Sequence, residues 1–206
     1  MMRKTATDSF KGLEDGNLRE IYLLRHGQYD RSKGDHGELT ALGRRQADRA
    51  AARLKRLRFD RMVHSSLPRA AETATRVQKI LKLKSFKSST GLWEVLPPVV
   101  KEFDELYPDS KRDAHFRKRQ GAYAEKAFRE VFRKPARKNS RELYVIHGNL
   151  MRFMLLRALK LDPRMWPYFD VKQCALAVFA LDRNGRVKVI SFNDYGHIPE
   201  EMQTYL

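Results

Sequence analysis

Three short stretches of the 206-residue chain carry groups that could hold an anion and move a proton: Arg25-His26-Gly27, Ser65-Ser66-Leu67-Pro68-Arg69 and His147-Gly148-Asn149. Each follows a strand-like apolar run and precedes a helical period, so each reads as a strand-to-helix turn. In an open parallel sheet such turns share one edge, where ligands bind. Arg25, His26, Arg69 and His147 can therefore converge although they are distant in sequence. Two guanidinium groups, two imidazoles and helix N-terminal amides make a site for a dianion such as phosphate. An imidazole with one nitrogen held by a hydrogen bond presents the other as a nucleophile. His26, directly after an arginine at a strand end, is placed for that. A leaving alkoxide needs a proton, and Glu94, in Gly91-Leu92-Trp93-Glu94-Val95, ranks first as its donor because apolar neighbours would raise its pKa. Glu102, Asp104 and Glu105 are rivals in a more polar stretch. Gln28 and Asn149 stand beside the two histidine motifs as substrate contacts or as loop supports.

The elements that must position these groups alternate between strand and helix. Ile21–Leu24, residues 61–64 and Leu143–Ile146 read as buried strands. Thr40 is a fitting N-cap for a helix carrying Ala47, Ala50, Ala51, Leu54 and Leu57, and Pro68 stands at the first position of another with Ala70, Ala71, Ala74 and Val77. Helices are also expected over 109–134 and 150–159. Near the end, residues 175–181 and 187–192 flank Asp182-Arg183-Asn184-Gly185, whose Asn-Gly pair signals a hairpin. This order predicts an α/β fold: a three-layer sandwich with a mostly parallel central sheet, helices on both faces and one antiparallel edge strand. Residues 1–18 read as a polar extension and 19–206 as a single domain. His64, Ser65 and Ser66 are expected to serve structure, and Cys174 to be a small buried residue.

Charge is the other conspicuous feature: 42 Lys and Arg against 25 Asp and Glu give a net +17. Such a field draws anions. The runs 44–61 and 111–141 hold much of it, mostly on polar helix faces, where it could keep the chain soluble or form a collar that attracts acidic phosphorylated partners. Nucleic acid is a weaker expectation, because no zinc finger, aromatic RNA-binding motif or helix-turn-helix accompanies the charge. A hydrophobic fraction of 42% excludes disorder as the main state. No apolar run is long enough for a membrane span, and the first 18 residues, with no continuous apolar core, argue against a secretory signal. The single cysteine gives no hint of an oxidising compartment, so a cytoplasmic setting is expected. The six histidines and that cysteine show no metal-ligand spacing.

Five ordered blocks carry a family resemblance: Leu24-Arg25-His26-Gly27; Leu39-Thr40-Ala41-Leu42-Gly43 with Gln46-Ala47; Ser65 through Ala74; Leu92-Trp93-Glu94; and His147-Gly148-Asn149. Together they resemble the histidine phosphatase (phosphoglycerate mutase-like) superfamily. Within it the chain is most similar to the branch containing a mitochondrial Ser/Thr protein phosphatase related to phosphoglycerate mutase, through Gln28-Tyr29, Val63 to Ser66, and Asn149 with Arg152. The resemblance implies catalytic roles for His26, Glu94, His147, Arg25 and Arg69. His26 becomes phosphorylated, Arg25, Arg69 and His147 bind phosphoryl oxygens, and Glu94 donates the proton, with no cofactor. It implies a phosphatase acting on phosphoprotein Ser/Thr or His, or on small phosphate esters. Mutase-type phosphoryl transfer and a non-enzymatic polyanion-binding protein are the alternatives. Gln28, Tyr29 and Asp30 stand where mutases of the family continue differently, and the N-terminal membrane helix and Trp-Asp repeat of the mitochondrial relative are missing, so its anchoring and assembly are not carried over. The loop Tyr29–Glu38 and the segment 97–118 are expected to form the pocket wall.

Overall fold

In the computed structural model, which describes residues 17–106, 114–136 and 138–205, one six-stranded sheet runs through the chain in the order β3-β2-β4-β1-β5-β6. Its strands are β1 (Arg19–Arg25), β2 (Arg61–Ser65), β3 (Phe86–Ser89), β4 (Ser140–Ile146), β5 (Leu176–Leu181) and β6 (Val187–Asp194). The first four are parallel neighbours, while β5 runs antiparallel to β1 on one side and to the edge strand β6 on the other. The expected polar extension lies outside the described residues apart from Asn17 and Leu18.

Alternation along β1 assigns the two faces. Tyr22 and Leu24 face α1 (Ala41–Leu54) and α2 (Pro68–Leu81), packing with Ala47, Ala50, Ala74 and Val77; Ile21 and Leu23 face α3 (Ala114–Val131) and α4 (Gly148–Ala158), packing with Ala127, Val131, Leu150 and Met154. The three-layer reading therefore stands. β1 is buried along its whole length because helices cover both faces. Thr40 caps α1 by accepting the Gly43 amide at 3.0 Å, and Pro68 opens α2 as expected. The hairpin between β5 and β6 turns at Gly185, whose φ of +81° suits glycine.

Strand β3 is an element the sequence reading lacks. Phe86-Lys87-Ser88-Ser89 has one apolar residue and no alternation, so only its parallel pairing with β2 makes it a strand. β1 and β4 also begin earlier than their apolar runs suggest. Their polar first residues are held by a buried ionic cluster at the amino end of the sheet. Glu142 accepts from Arg19 Nη2 at 2.6 Å, from Arg133 Nη2 at 3.1 Å and from the Tyr144 hydroxyl at 2.7 Å, and Arg61 Nη2 lies 2.7 Å away. Burial alone would raise the Glu142 carboxyl, but the hydrogen bonds from Arg19 and Tyr144 and the charges of Arg19 and Arg61 bring it down to about 2. Arg45, Arg49, Arg53 and Arg56 lie on the exposed face of α1 and its continuation, and Lys118, Arg119, Lys126 and Arg129 on that of α3, so these members of the two basic runs are solvated.

Glu142→Gln should cost about 3–5 kcal/mol at neutral pH, the usual penalty for leaving buried charge unpaired. The carboxylate's contribution is fully present above its unfolded value of 4.5 and is lost as pH falls toward about 2. Urea unfolding of the parent and variant should therefore diverge at pH 7 and converge as pH approaches 2.

Candidate active site

Register brings the motifs together. Arg25, the last residue of β1, pairs with Ile146, the last of β4, so His26 and His147 leave adjacent strands side by side. Their rings stand 5.1 Å apart, centre to centre. The His26 backbone is fixed on both flanks: its amide donates to the Ile146 carbonyl at 3.0 Å, and its carbonyl accepts from the Cys174 amide at 3.2 Å. His26 Nδ1 lies 2.8 Å from the Gly27 carbonyl oxygen. A carbonyl can only accept, so Nδ1 carries the proton and Nε2 keeps its lone pair. The loop rests directly on the first turn of α1: a Cβ on Gly27 would lie 2.5 Å from the Gly43 carbonyl oxygen, and one on Gly43 would lie 1.9 Å from that of Gln28. Both positions need glycine because backbone meets backbone there.

Around the two imidazoles stand two buried arginines. Arg25 donates through Nη1 to the carbonyls of Val171 and, at 2.6 Å, Tyr205. Arg69, on α2, reaches Asp35 through Nη2 at 3.3 Å and stacks on the Tyr29 ring at 4.6 Å; Tyr29 meets His26 edge-on at 5.2 Å. Ser65 Oγ is 2.8 Å from His147 Nε2. Three buried polar atoms, Arg25 Nε, Arg69 Nε and His147 Nδ1, have no hydrogen-bond partner among the described residues. Buried polar atoms without partners are costly, and an oxyanion at this edge would offer acceptors to such donors.

Electrostatics sort the titrating groups. Burial, reinforced by the positive charges of Arg25 and Arg69, holds His26 well below the ordinary imidazole range. Burial, His26 and both arginines do the same to His147. Both rings are therefore neutral at pH 7. Burial also lowers Arg25 to about 10, which leaves it cationic. Glu94 sits at the N-terminus of α4, where its Oε1 accepts from the Leu150 amide at 3.2 Å and from its neighbour Val95 at 3.1 Å. Burial pushes its carboxyl up, although Arg25 and the Val95 amide pull the other way.

All five residues named as catalytic thus gather at one edge. Gln28 and Asn149 also lie there, with side chains turned to protein groups. Gln28 Oε1 accepts the Thr40 hydroxyl at 2.7 Å, while Asn149 donates to the Val95 carbonyl at 2.9 Å and accepts from Arg152 at 2.9 Å. Sequence reasoning missed Thr73, which accepts the Gly27 amide at 3.1 Å and donates to the Arg69 carbonyl at 2.7 Å. Its spacing four residues after Arg69, on one helix face, was the available signal. Ser65, assigned to shaping its turn, does so by accepting the Leu67 amide at 3.3 Å, but it also holds His147. His64 is bonded to the Ser65 carbonyl and Cys174 is buried, as expected. Among the described residues no cluster of three or more His, Cys, Asp or Glu could hold a metal ion, and no helix is long and apolar enough to cross a membrane.

Comparison with known proteins agrees with this arrangement. The profile of the histidine phosphatase superfamily (branch 1) matches residues 21–194. The mitochondrial serine/threonine-protein phosphatase Pgam5 of Caenorhabditis elegans is 35% identical over 193 residues, covering 88% of this chain and 64% of that protein. Its Homo sapiens counterpart is 32% identical over 198 residues, covering 90% and 66%. The chain thus spans somewhat less than two thirds of the length of the nematode relative. Among solved structures, a putative alpha-ribazole-5'-P phosphatase from Escherichia coli superposes with a TM-score of 0.69 at 19% identity over 86% of this chain and 98% of that one. A phosphoglycerate mutase from Plasmodium falciparum gives 0.62 at 24% over 92% and 99%. These two show the fold. The relatives are mitochondrial proteins by name, which overturns the cytoplasmic expectation. A lone cysteine gives no hint of an oxidising compartment, and it cannot separate one reducing compartment from another.

The neutral, buried histidines make stability depend on pH. The unfolded chain takes up protons near pH 6.5, whereas folded His26 and His147 resist them, so stability is full above that value and falls as pH drops through the depressed folded pKa values. His64 and His197, also lowered by burial, add to the slope. Melting temperature should decline between pH 7 and 5, and exchanging His26 and His147 for Gln should flatten that decline without abolishing it.

Proposed function

The chain belongs to the histidine phosphatase superfamily, and from that premise we propose that it is a phosphatase hydrolysing phosphate monoesters without a metal ion, through a phosphohistidine on His26. The observation that carries this reading is the neutral His26 imidazole, with Nδ1–H fixed on Gly27, near three buried polar atoms that lack partners among the described residues. In the proposed first step, the Nε2 lone pair attacks phosphorus in line with the ester oxygen. The N–P bond forms as the P–O bond breaks, and Glu94 gives its proton to the departing alkoxide. Arg25, Arg69 and His147 donate to the phosphoryl oxygens and offset the charge of transfer. In the second step the Glu94 carboxylate takes a proton from water, whose oxygen attacks phosphorus and releases His26 and orthophosphate.

Gln28 and Asn149 we assign to holding the loops. Gln28 ties the His26 loop to the cap of α1, and Asn149 ties α4 to the Glu94 segment. Phosphorylated Ser or Thr of a protein is the favoured substrate, by analogy with the mitochondrial relatives, whose compartment we extend to this chain. Exposed Trp93, whose Nε1 donates to Ser66 Oγ at 2.6 Å, stands next to Glu94 as a wall for the residues flanking the phosphate.

Hydrolysis of p-nitrophenyl phosphate and of phosphoserine peptides should survive chelator and fall by a factor on the order of 10³ or more in His26→Ala; undiminished activity in that variant would sink the mechanism. Glu94→Gln should slow release of an alkyl leaving group by about 10²–10⁴-fold but slow phosphorylation by p-nitrophenyl phosphate far less, because nitrophenolate leaves without a proton. In the parent, kcat/KM for the alkyl ester should drop as pH rises through the raised Glu94 pKa. Phosphoryl transfer between substrate hydroxyls without orthophosphate release would point instead to a mutase.

A further inference from the structure

Gln46, on α1, is fully buried, and both ends of its amide are engaged across the fold. Its Oε1 accepts the Gln28 backbone amide at 2.8 Å, in the loop that follows His26. Its Nε2 donates to the Met202 carbonyl at 2.6 Å and to the Thr204 hydroxyl at 2.8 Å. Residues 202–205 are fastened further. The Gln173 amide donates to the Thr204 carbonyl at 2.8 Å, and the Thr204 hydroxyl donates to Gln173 Oε1 at 2.5 Å. The Tyr205 carbonyl then accepts from Arg25 Nη1 at 2.6 Å. One short segment thus grips the phosphate-binding edge twice, once through Gln46 on the His26 loop and once directly on the Arg25 guanidinium.

We propose that residues 202–205 act as a strap, with Gln46 and Thr204 as positioning residues, that sets the affinity of the site for the phosphoryl group. This rests on reading that edge as a phosphate site. A guanidinium binds an oxyanion well only when its donors are aimed before the ligand arrives. Two carbonyls, Val171 and Tyr205, hold Nη1 and so fix the plane in which Nε of Arg25 points. Removing Tyr205 leaves that plane with one anchor. Losing the Gln46 bridge frees the Gln28 amide and with it the loop whose Gly27 carbonyl orients His26. Tyr205 is exposed, so the strap's outer end can be altered without opening the core, whereas Met202 is buried and stays.

The test uses the full chain, a chain ended at Gln203, Thr204→Val and Gln46→Glu, the last keeping the acceptor for Gln28 but losing both donors to the strap. Orthophosphate binding is measured by calorimetry and amide exchange by NMR. The shortened chain should bind orthophosphate about tenfold or more weakly, as expected for losing a hydrogen bond to a charged group. Thr204→Val and Gln46→Glu should speed exchange at the Gln28 amide about tenfold, while the β4 amides keep their protection. Should Gln46→Glu fail to fold, the other two variants carry the test. Phosphate affinity and Gln28 exchange within about twofold of the parent in the shortened chain and in Thr204→Val would overturn the strap. A parent that binds orthophosphate but turns over no ester would defeat the phosphatase reading and leave this one to be decided by the same two measurements.

Discussion

Parallel pairing of β1 with β4 ends on the rung that joins Arg25 to Ile146, and the placement of both histidines and of the start of α4 follows from that rung. It makes His26 and His147 neighbours, because each is the first residue beyond its strand. It also sets the start of α4 at Gly148, beside the Arg25 side chain, and brings the Glu94 carboxyl onto that helix's first amides. A one-residue slip would exchange the two faces of β1 and bury Arg25 against the wrong helices. The continuous apolar character of both strands, covered on both sides, fixes the pairing from within the core.

The two ends of the sheet treat charge in opposite ways. At the amino end Glu142 is surrounded by Arg19, Arg61 and Arg133, and the arginines are neutralised by protein. At the carboxyl end Arg25 and Arg69 are buried like Arg19, but their Nε atoms meet no protein acceptor among the described residues, and the nearby imidazoles are driven neutral instead of adding charge. The same residue type is therefore met by a carboxylate at one end of the sheet and, at the other, keeps Nε atoms without a protein acceptor among the described residues. Arg45, Arg49 and Arg53 of α1 and Lys118, Arg119, Lys126 and Arg129 of α3 belong to neither cluster and lie on solvated faces.

The legible and illegible parts of this molecule differ by the range of the interactions involved. Residues 21–24 and 143–146 announce strands by their own composition, the alanines of α1 and α2 mark buried stripes, and Arg25-His26-Gly27 and His147-Gly148 stand where apolar runs stop. Those signals are local, and they located the sheet, the layers and the edge at which Arg25, His26 and His147 meet. Strand β3 carried no such mark, since its status depends on β2 alone. The contacts of Arg69 with Asp35, of Arg25 with Tyr205 and of Gln46 with Thr204 join side chains to distant backbone or to loops, and nothing periodic announces them. Compartment was illegible for another reason: cysteine content reports redox conditions, and several compartments share them.

The reversed direction of β5 has a consequence in time as well as in space. Being antiparallel to β1, it returns its amino-terminal end to the edge where β1 finishes, and so delivers the loop holding Val171 to Arg25. Arg25 is separated from its two carbonyl acceptors by 146 and 180 positions. A ribosome makes the arginine early and its acceptors late. Throughout synthesis the chain therefore has the Arg25 guanidinium but not the carbonyls that hold it, and its setting is completed only when residues 171–205 have emerged and folded back.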